Sequence, residues 1–153
     1  MTSSHLAVYI ALAWGLGVSA PRKAPAESRH ATGTFDVTMK PLAAYATAEP
    51  MLGRMSADKK YHGDLEATAI GEMLSAGTGV KNSAVYVAIE RVTGTLHGRH
   101  GSFILHHTGV MSRGEPHLTI AVVPDSGTDQ LAGLAGTLSI DIAPDGTHSY
   151  TFE

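Results

Sequence analysis

The stretch Ala84–Gly109, AVYVAIERVTGTLHGRHGSFILHHTG, constrains the fold of this chain more than any other. Two runs rich in Val, Ile, Thr and Phe flank the turn Gly98-Arg99-His100-Gly101, and β-branched and aromatic residues on either side of a glycine-bracketed turn specify a β-hairpin. A two-residue loop at Arg99-His100 predicts a register that sets Leu96 opposite Phe103, Gly94 opposite Leu105, Val92 opposite His107 and Glu90 opposite Gly109. Side chains alternate across a strand. Tyr86, Ala88, Glu90, Val92, Gly94, Leu96, Phe103, Leu105 and His107 therefore share one face, mostly apolar but carrying a carboxylate, an imidazole and a phenol. Arg91, Thr93, Thr95, His97, Ser102, His106 and Thr108 form the other face, which reads as wet. A loop one residue longer or shorter would exchange His106 for His107 on the Glu90 face.

Around this hairpin the chain continues in short alternating runs. His30–Lys40 sets Thr32, Thr34, Asp36 and Thr38 against Gly33, Phe35, Val37 and Met39, a first strand. Pro41–Gly53 reads as an Ala-rich connection with room for a helical turn, Arg54–His62 as strand two, Gly63-Asp64 as a turn and Leu65–Ala76 as strand three. In strand three Leu65, Ala67, Ala69, Gly71, Met73 and Ser75 make a small-residue face, as a wall that leaves lumen space requires. His117–Pro124 is strand six, Leu131–Ala143 strand seven, Pro144-Asp145-Gly146 a turn and His148–Glu153 the last strand. Eight strands in meander order without a convincing helix predict an all-β fold, an eight-stranded antiparallel up-and-down β-barrel of lipocalin-like proportions, with a two-sheet sandwich as the alternative.

Length and composition bound the function. The 153 residues suffice for one domain with a proper core, and a net charge of −3 with scattered Lys and Arg provides no footprint for a phosphate backbone, so no nucleic-acid partner is expected. The absence of cysteine excludes disulfides, thiolate zinc sites and a Cys nucleophile. Residues 1–29 differ in kind and are set apart from the 30–153 domain. Their apolar segment, Leu6–Leu16, is short for a membrane span, so no span is expected in the mature domain; it has the length of a signal-peptide core, and Ala24-Pro25-Ala26 resembles a cleavage site. No Lys or Arg precedes that segment. Two readings stand: a leader cleaved after residue 26 and a secreted protein, or a disordered extension or a start codon placed too early on a cytoplasmic one.

The segments HATGTF, HGDLEATAIGEMLSAGT, YVAIERVTGTLHGRHGSFILHHTG, VVPDSGT, LAGLAGTLSIDI and HSYTFE, in this order over about four-fifths of the chain, resemble the bacterial family called domain of unknown function 3224. The resemblance implies an eight-stranded barrel similar to that of allene oxide cyclase. It implies no activity, since the family name assigns none.

On the residues themselves, Glu90 and His107 on one face form a candidate carboxylate-oriented imidazole, with Tyr86 as proton donor or hydrogen-bonding anchor. A self-satisfied structural network is the competing reading. Phe103, Leu105, Leu96, Met73 and Ser75 are the candidate ligand-contacting residues of the same lumen. No metal and no cofactor are expected: of the nine histidines four fall in this hairpin, but His106 and His107 point to opposite faces and His97 and His100 lie at the turn. Three functions follow. The lumen binds a small apolar or amphipathic molecule, the ranking choice; it steers an isomerisation or cyclisation; or the barrel is filled and serves in association, with Val85, Val87 and Ile89 on its outer face as a homo-oligomer contact.

Overall fold

Period-two alternation runs through every strand of the computed structural model, which describes residues 30–43 and 52–153. The strands are β1 (Ala31–Pro41), β2 (Leu52–Gly63), β3 (Leu65–Gly77), β4 (Ala84–Leu96), β5 (Arg99–Ser112), β6 (Glu115–Val122), β7 (Leu138–Ile142) and β8 (His148–Phe152), with one 3-10 turn at Asp129–Leu131. Each pairs antiparallel with its sequence neighbours from β1 to β6; β8 returns to β1, and β7 lies outside β8. An Ala121–Thr137 bridge and a 3.0 Å hydrogen bond from Val122 N to Gly136 O join β6 to the approach to β7. The sheet thus comes round on itself as the expected all-β, eight-stranded antiparallel barrel, nearly closed.

The seam is completed by a loop rather than a strand. Where β6 ends, at Val122 opposite Leu105, the next backbone groups of β5 would lose their partners. Val123 N donates to Ile104 O at 2.8 Å and Thr128 N to Ser102 O at 2.9 Å; in return Ile104 N donates to Ser126 Oγ at 3.1 Å and Ser102 N to Thr128 Oγ1 at 3.0 Å. Two hydroxyls stand in for strand carbonyls, which keeps the buried backbone paired.

Three expectations need correction. The hairpin turns at His97-Gly98, not Arg99-His100: Leu96 pairs with Arg99, Val92 with Phe103, Glu90 with Leu105, Ala88 with His107 and Tyr86 with Gly109. A two-residue hairpin loop favours positive φ at both positions, and His97 (φ 48°) and Gly98 (φ 74°) supply it with a glycine in the second. Arg99-His100 offers no glycine. The slip is four residues, an even number, so every side chain keeps its face. Second, strand seven begins at Leu138, because Gly133 and Gly136, both at positive φ, and the 3-10 turn interrupt residues 131–137. Third, the outer face of the hairpin is not uniformly wet, since Ser102 is buried beneath the seam loop. The leader-or-extension expectation for residues 1–29, and most of the connection expected to hold a helical turn, lie outside the described residues.

Inward positions change character along the barrel axis. At the end carrying the 63–64 and 97–98 turns, Phe35, Tyr61, Leu65, Val92, Leu96, Phe103, Leu105, Tyr150 and Phe152 pack into one buried cluster. Phe103 stacks on Phe152 at 5.8 Å and Tyr61 meets Tyr150 edge-on at 5.6 Å, geometries favoured by the ring quadrupoles. The seam loop adds Leu131, fully buried against the inner side of Gly101. At the other end, inward-phase Met39, Met111, Leu118 and Ile142 are exposed, and Met55, Met73, Ser75, Tyr86 and Ala88 half-buried. The described residues thus form a cup, packed solid below and lined above by exposed or half-buried side chains.

Candidate functional site

The floor of the cup is polar. Glu90, inward on β4 next to the core residue Val92, is buried, and an isolated carboxylate there would cost several kcal/mol. Three inward side chains answer it. Lys59 on β2 places Nζ 2.7 Å from Glu90 Oε2, Tyr61 donates its hydroxyl hydrogen to Glu90 Oε1 at 2.6 Å, and His107 on β5 brings Nε2 to 3.7 Å from Oε2. The lysine and histidine side chains are 8% and 6% exposed, the glutamate 3%, so all three charges or dipoles interact in a medium far less polarisable than water. Lys59 Nζ also lies over the Phe35 and Tyr61 rings at 5.1 and 5.7 Å, a favourable position for a cation against π faces.

Electrostatics fix the protonation states. Burial pushes the Glu90 carboxyl up, but His107, Lys59 and Tyr61 outweigh it and hold it at about 2. Burial and then the Glu90 charge push the Tyr61 hydroxyl well above its ordinary range, and the same two causes raise Tyr86. Glu90 is therefore a fixed anion, and both tyrosines are neutral donors. Among the described residues one atom is left over: His107 Nε2 is buried and has no hydrogen-bond partner, since 3.7 Å to Glu90 is ion-pair distance rather than a hydrogen bond.

Tyr86 stands one inward position above Ala88 on β4, its ring laid flat across Gly109 of β5, where a Cβ would collide with it. Of the candidate residues, then, Glu90 and His107 meet on the floor and Tyr86 stands above them. Met73 and Ser75 line the open end on β3. Phe103, Leu105 and Leu96 lie below the floor in the packed cluster. Lys59 and Tyr61 were not among the candidates. Their signal was present: Ala57, Lys59 and Tyr61 share one phase of β2, and a lysine in phase with a buried tyrosine calls for an acid across the lumen. Among the described residues no three His, Asp or Glu side chains converge to hold a metal ion, and no helix is long and apolar enough to cross a membrane.

A meandering antiparallel barrel, packed at one end, open at the other and floored by a buried charge network, defines a small lumen-type β-barrel protein. The chain belongs to the DUF3224 family: the family model described as "Protein of unknown function (DUF3224)" matches residues 31–153. It is similar to a crystal structure from Shewanella oneidensis MR-1, a protein with unknown function from the DUF3224 family at 1.84 Å resolution, with 52% sequence identity and a TM-score of 0.77 over 81% of this chain and 93% of that one. No curated protein matches the sequence.

Proposed function

We propose that the cup binds a small, mostly apolar molecule and holds its single polar group against His107, beside Glu90 and beneath Tyr86, without changing it. The observation that carries this reading is the unpartnered, buried Nε2 of His107. A buried polar atom without a partner costs about 1–3 kcal/mol, and a ligand atom that supplies the partner recovers it. Above that point the wall offers Met55, Met73 and Ala88 with few polar groups, which favours apolar contact. The floor has little net charge to offer, because Lys59 and Glu90 neutralise each other; a neutral hydroxyl or carbonyl group suits it better than a second ion.

Protonation favours binding over proton transfer. A carboxylate held at about 2 is a weak base, and phenols raised by burial and a neighbouring anion are weak acids. An isomerase or cyclase would have to rest on His107 alone. Native mass spectrometry of the purified protein tests the reading: a copurifying small molecule is expected in the wild type, lost in His107→Ala and Glu90→Gln and kept in His106→Ala, each variant first shown folded by circular dichroism. Loss in His106→Ala with retention in His107→Ala would overturn it.

A further inference from the structure

The outer wall of the barrel is divided. Outward positions of β1, β7 and β8 are Thr32, Thr34, Asp36, Thr38, Ser139, Asp141, Ser149 and Thr151, as a solvated sheet face requires. Those of β3 to β5, with Leu52 at the start of the otherwise polar outer face of β2, are different. Leu52, Ile70, Leu74, Val85, Val87, Ile89 and Val110 are 42–68% exposed, and among the described strands all the exposed large hydrophobics in outward phase lie on these four. The residues of the patch are cross-strand neighbours: Leu52, Ala76, Val85 and Val110 form one row and Leu74 with Val87 the next, followed by Glu72, Ile89 and His106. A shallow groove of about 640 Å³ lies over Leu74, Val87 and Ile89, bounded by Arg54, Glu72, His106 and Thr108.

We propose that this face is the interface with a second copy of the chain, packed sheet on sheet with β4 over β4. Area supports that occupant. The seven side chains expose on the order of 600 Å², the upper end for a monomer's largest apolar patch and near one side of a standard interface of about 800 Å². Symmetry supports it too, because a single apolar patch is matched by itself, which is the isologous two-fold contact. Polar complementarity then selects the orientation: Glu72, already held by Arg54 of its own sheet at 2.6 Å, keeps one carboxylate oxygen to accept from a donor on the partner. A two-fold axis along β4 lays the β3 side of one copy on the β5 side of the other, setting Glu72 across from the partner's His106 on either side of Ile89. An axis across the strands would instead set Glu72 against Glu72.

Sedimentation velocity on the full chain at tens of micromolar tests this, with twice the 16.0 kDa chain mass expected. Ile89→Lys and Val87→Asp, both at exposed positions and so expected to fold, should weaken association about 30-fold or more. Thr34→Asp on the solvated half should change nothing. Glu72→Lys should weaken the dimer, and adding His106→Glu should restore it by reversing the pair. A monomeric wild type, an Ile89→Lys variant of undiminished mass, or a ring of higher order would each overturn the proposal. Binding of the monomer to lipid vesicles would assign the face to a different occupant.

Discussion

The two ends of the lumen are made by the same strands under the same alternation, yet one is solid and the other is not. Below Glu90, inward positions carry rings and branched side chains: Phe35, Tyr61, Leu65, Phe103, Tyr150 and Phe152, all buried. Above it four methionines, Met39, Met55, Met73 and Met111, with Ser75 and Ala88, predominate beside Tyr86, Leu118 and Ile142, all exposed or half-buried. Rings fill a cross-section of this size completely, whereas small and unbranched side chains leave room and adapt to what enters. The teaching is a division of labour. Packing at one end stabilises the barrel enough for the other to stay open, and the charge network lies at the boundary.

That contrast can be broken at the packed end first. Phe103→Ala removes a fully buried ring stacked on Phe152 and should cost about 4 kcal/mol in urea unfolding; a loss under about 1 would mean the lower end is not the stabilising half. At the boundary, Lys59→Met strands the Glu90 carboxylate and should cost about 3 kcal/mol, while Lys59→Met with Glu90→Leu should recover most of it. Equal losses in the single and double variants would deny the pairing.

The same boundary should show in acid. Glu90 is held at about 2, below its ordinary 4.5, so the stability it contributes is complete above about pH 4.5 and lost as the pH falls through about 2. The amount is about 3 kcal/mol, read as the part of the wild-type acid unfolding profile absent from the Lys59→Met/Glu90→Leu protein. A parallel pair of profiles would remove Glu90 from the account. The smallest effect belongs to the open end: Met73→Ala should cost about 1 kcal/mol or less, because Met73 is only half-buried, while altering which molecule copurifies. A cost near that of Phe103→Ala would mean that the upper lumen is packed after all.

Most of the barrel was legible because alternation and turn chemistry are local. Thr32 to Met39 and Leu65 to Ser75 announce their faces without any partner. Glu90 and His107 were found for the same reason, and the register error left them in place because a four-residue slip preserves parity. Lys59 and Tyr61 were harder, since β2 meets β4 only across the lumen and alternation within a strand says nothing of contacts between non-neighbouring strands. The seam was hidden for a related reason. Leu134, Leu138 and Ile140 have the spacing of a strand, but Gly133 and Gly136 take backbone angles that only the folded loop demands. Ser102 shows the limit of reading one element alone: its hairpin face is outward, and its burial comes from residues more than twenty positions on.

The serine and threonine at the seam, Ser126 and Thr128, also act as a clasp. Between β6 and β7 the circle is held by the Ala121–Thr137 bridge, the Val122 N–Gly136 O bond and the seam loop, so mechanically this barrel is a ribbon of eight strands fastened along one short seam. Fastened, the ribbon keeps its two edges, β6 and β7, facing one another across the seam. Unfastened, each would present a row of unpaired amides and carbonyls of the kind that recruits other chains. The hydroxyls that complete the β5 ladder thus cover, beyond the end of β6, two amides of β5 that would otherwise belong to such an edge.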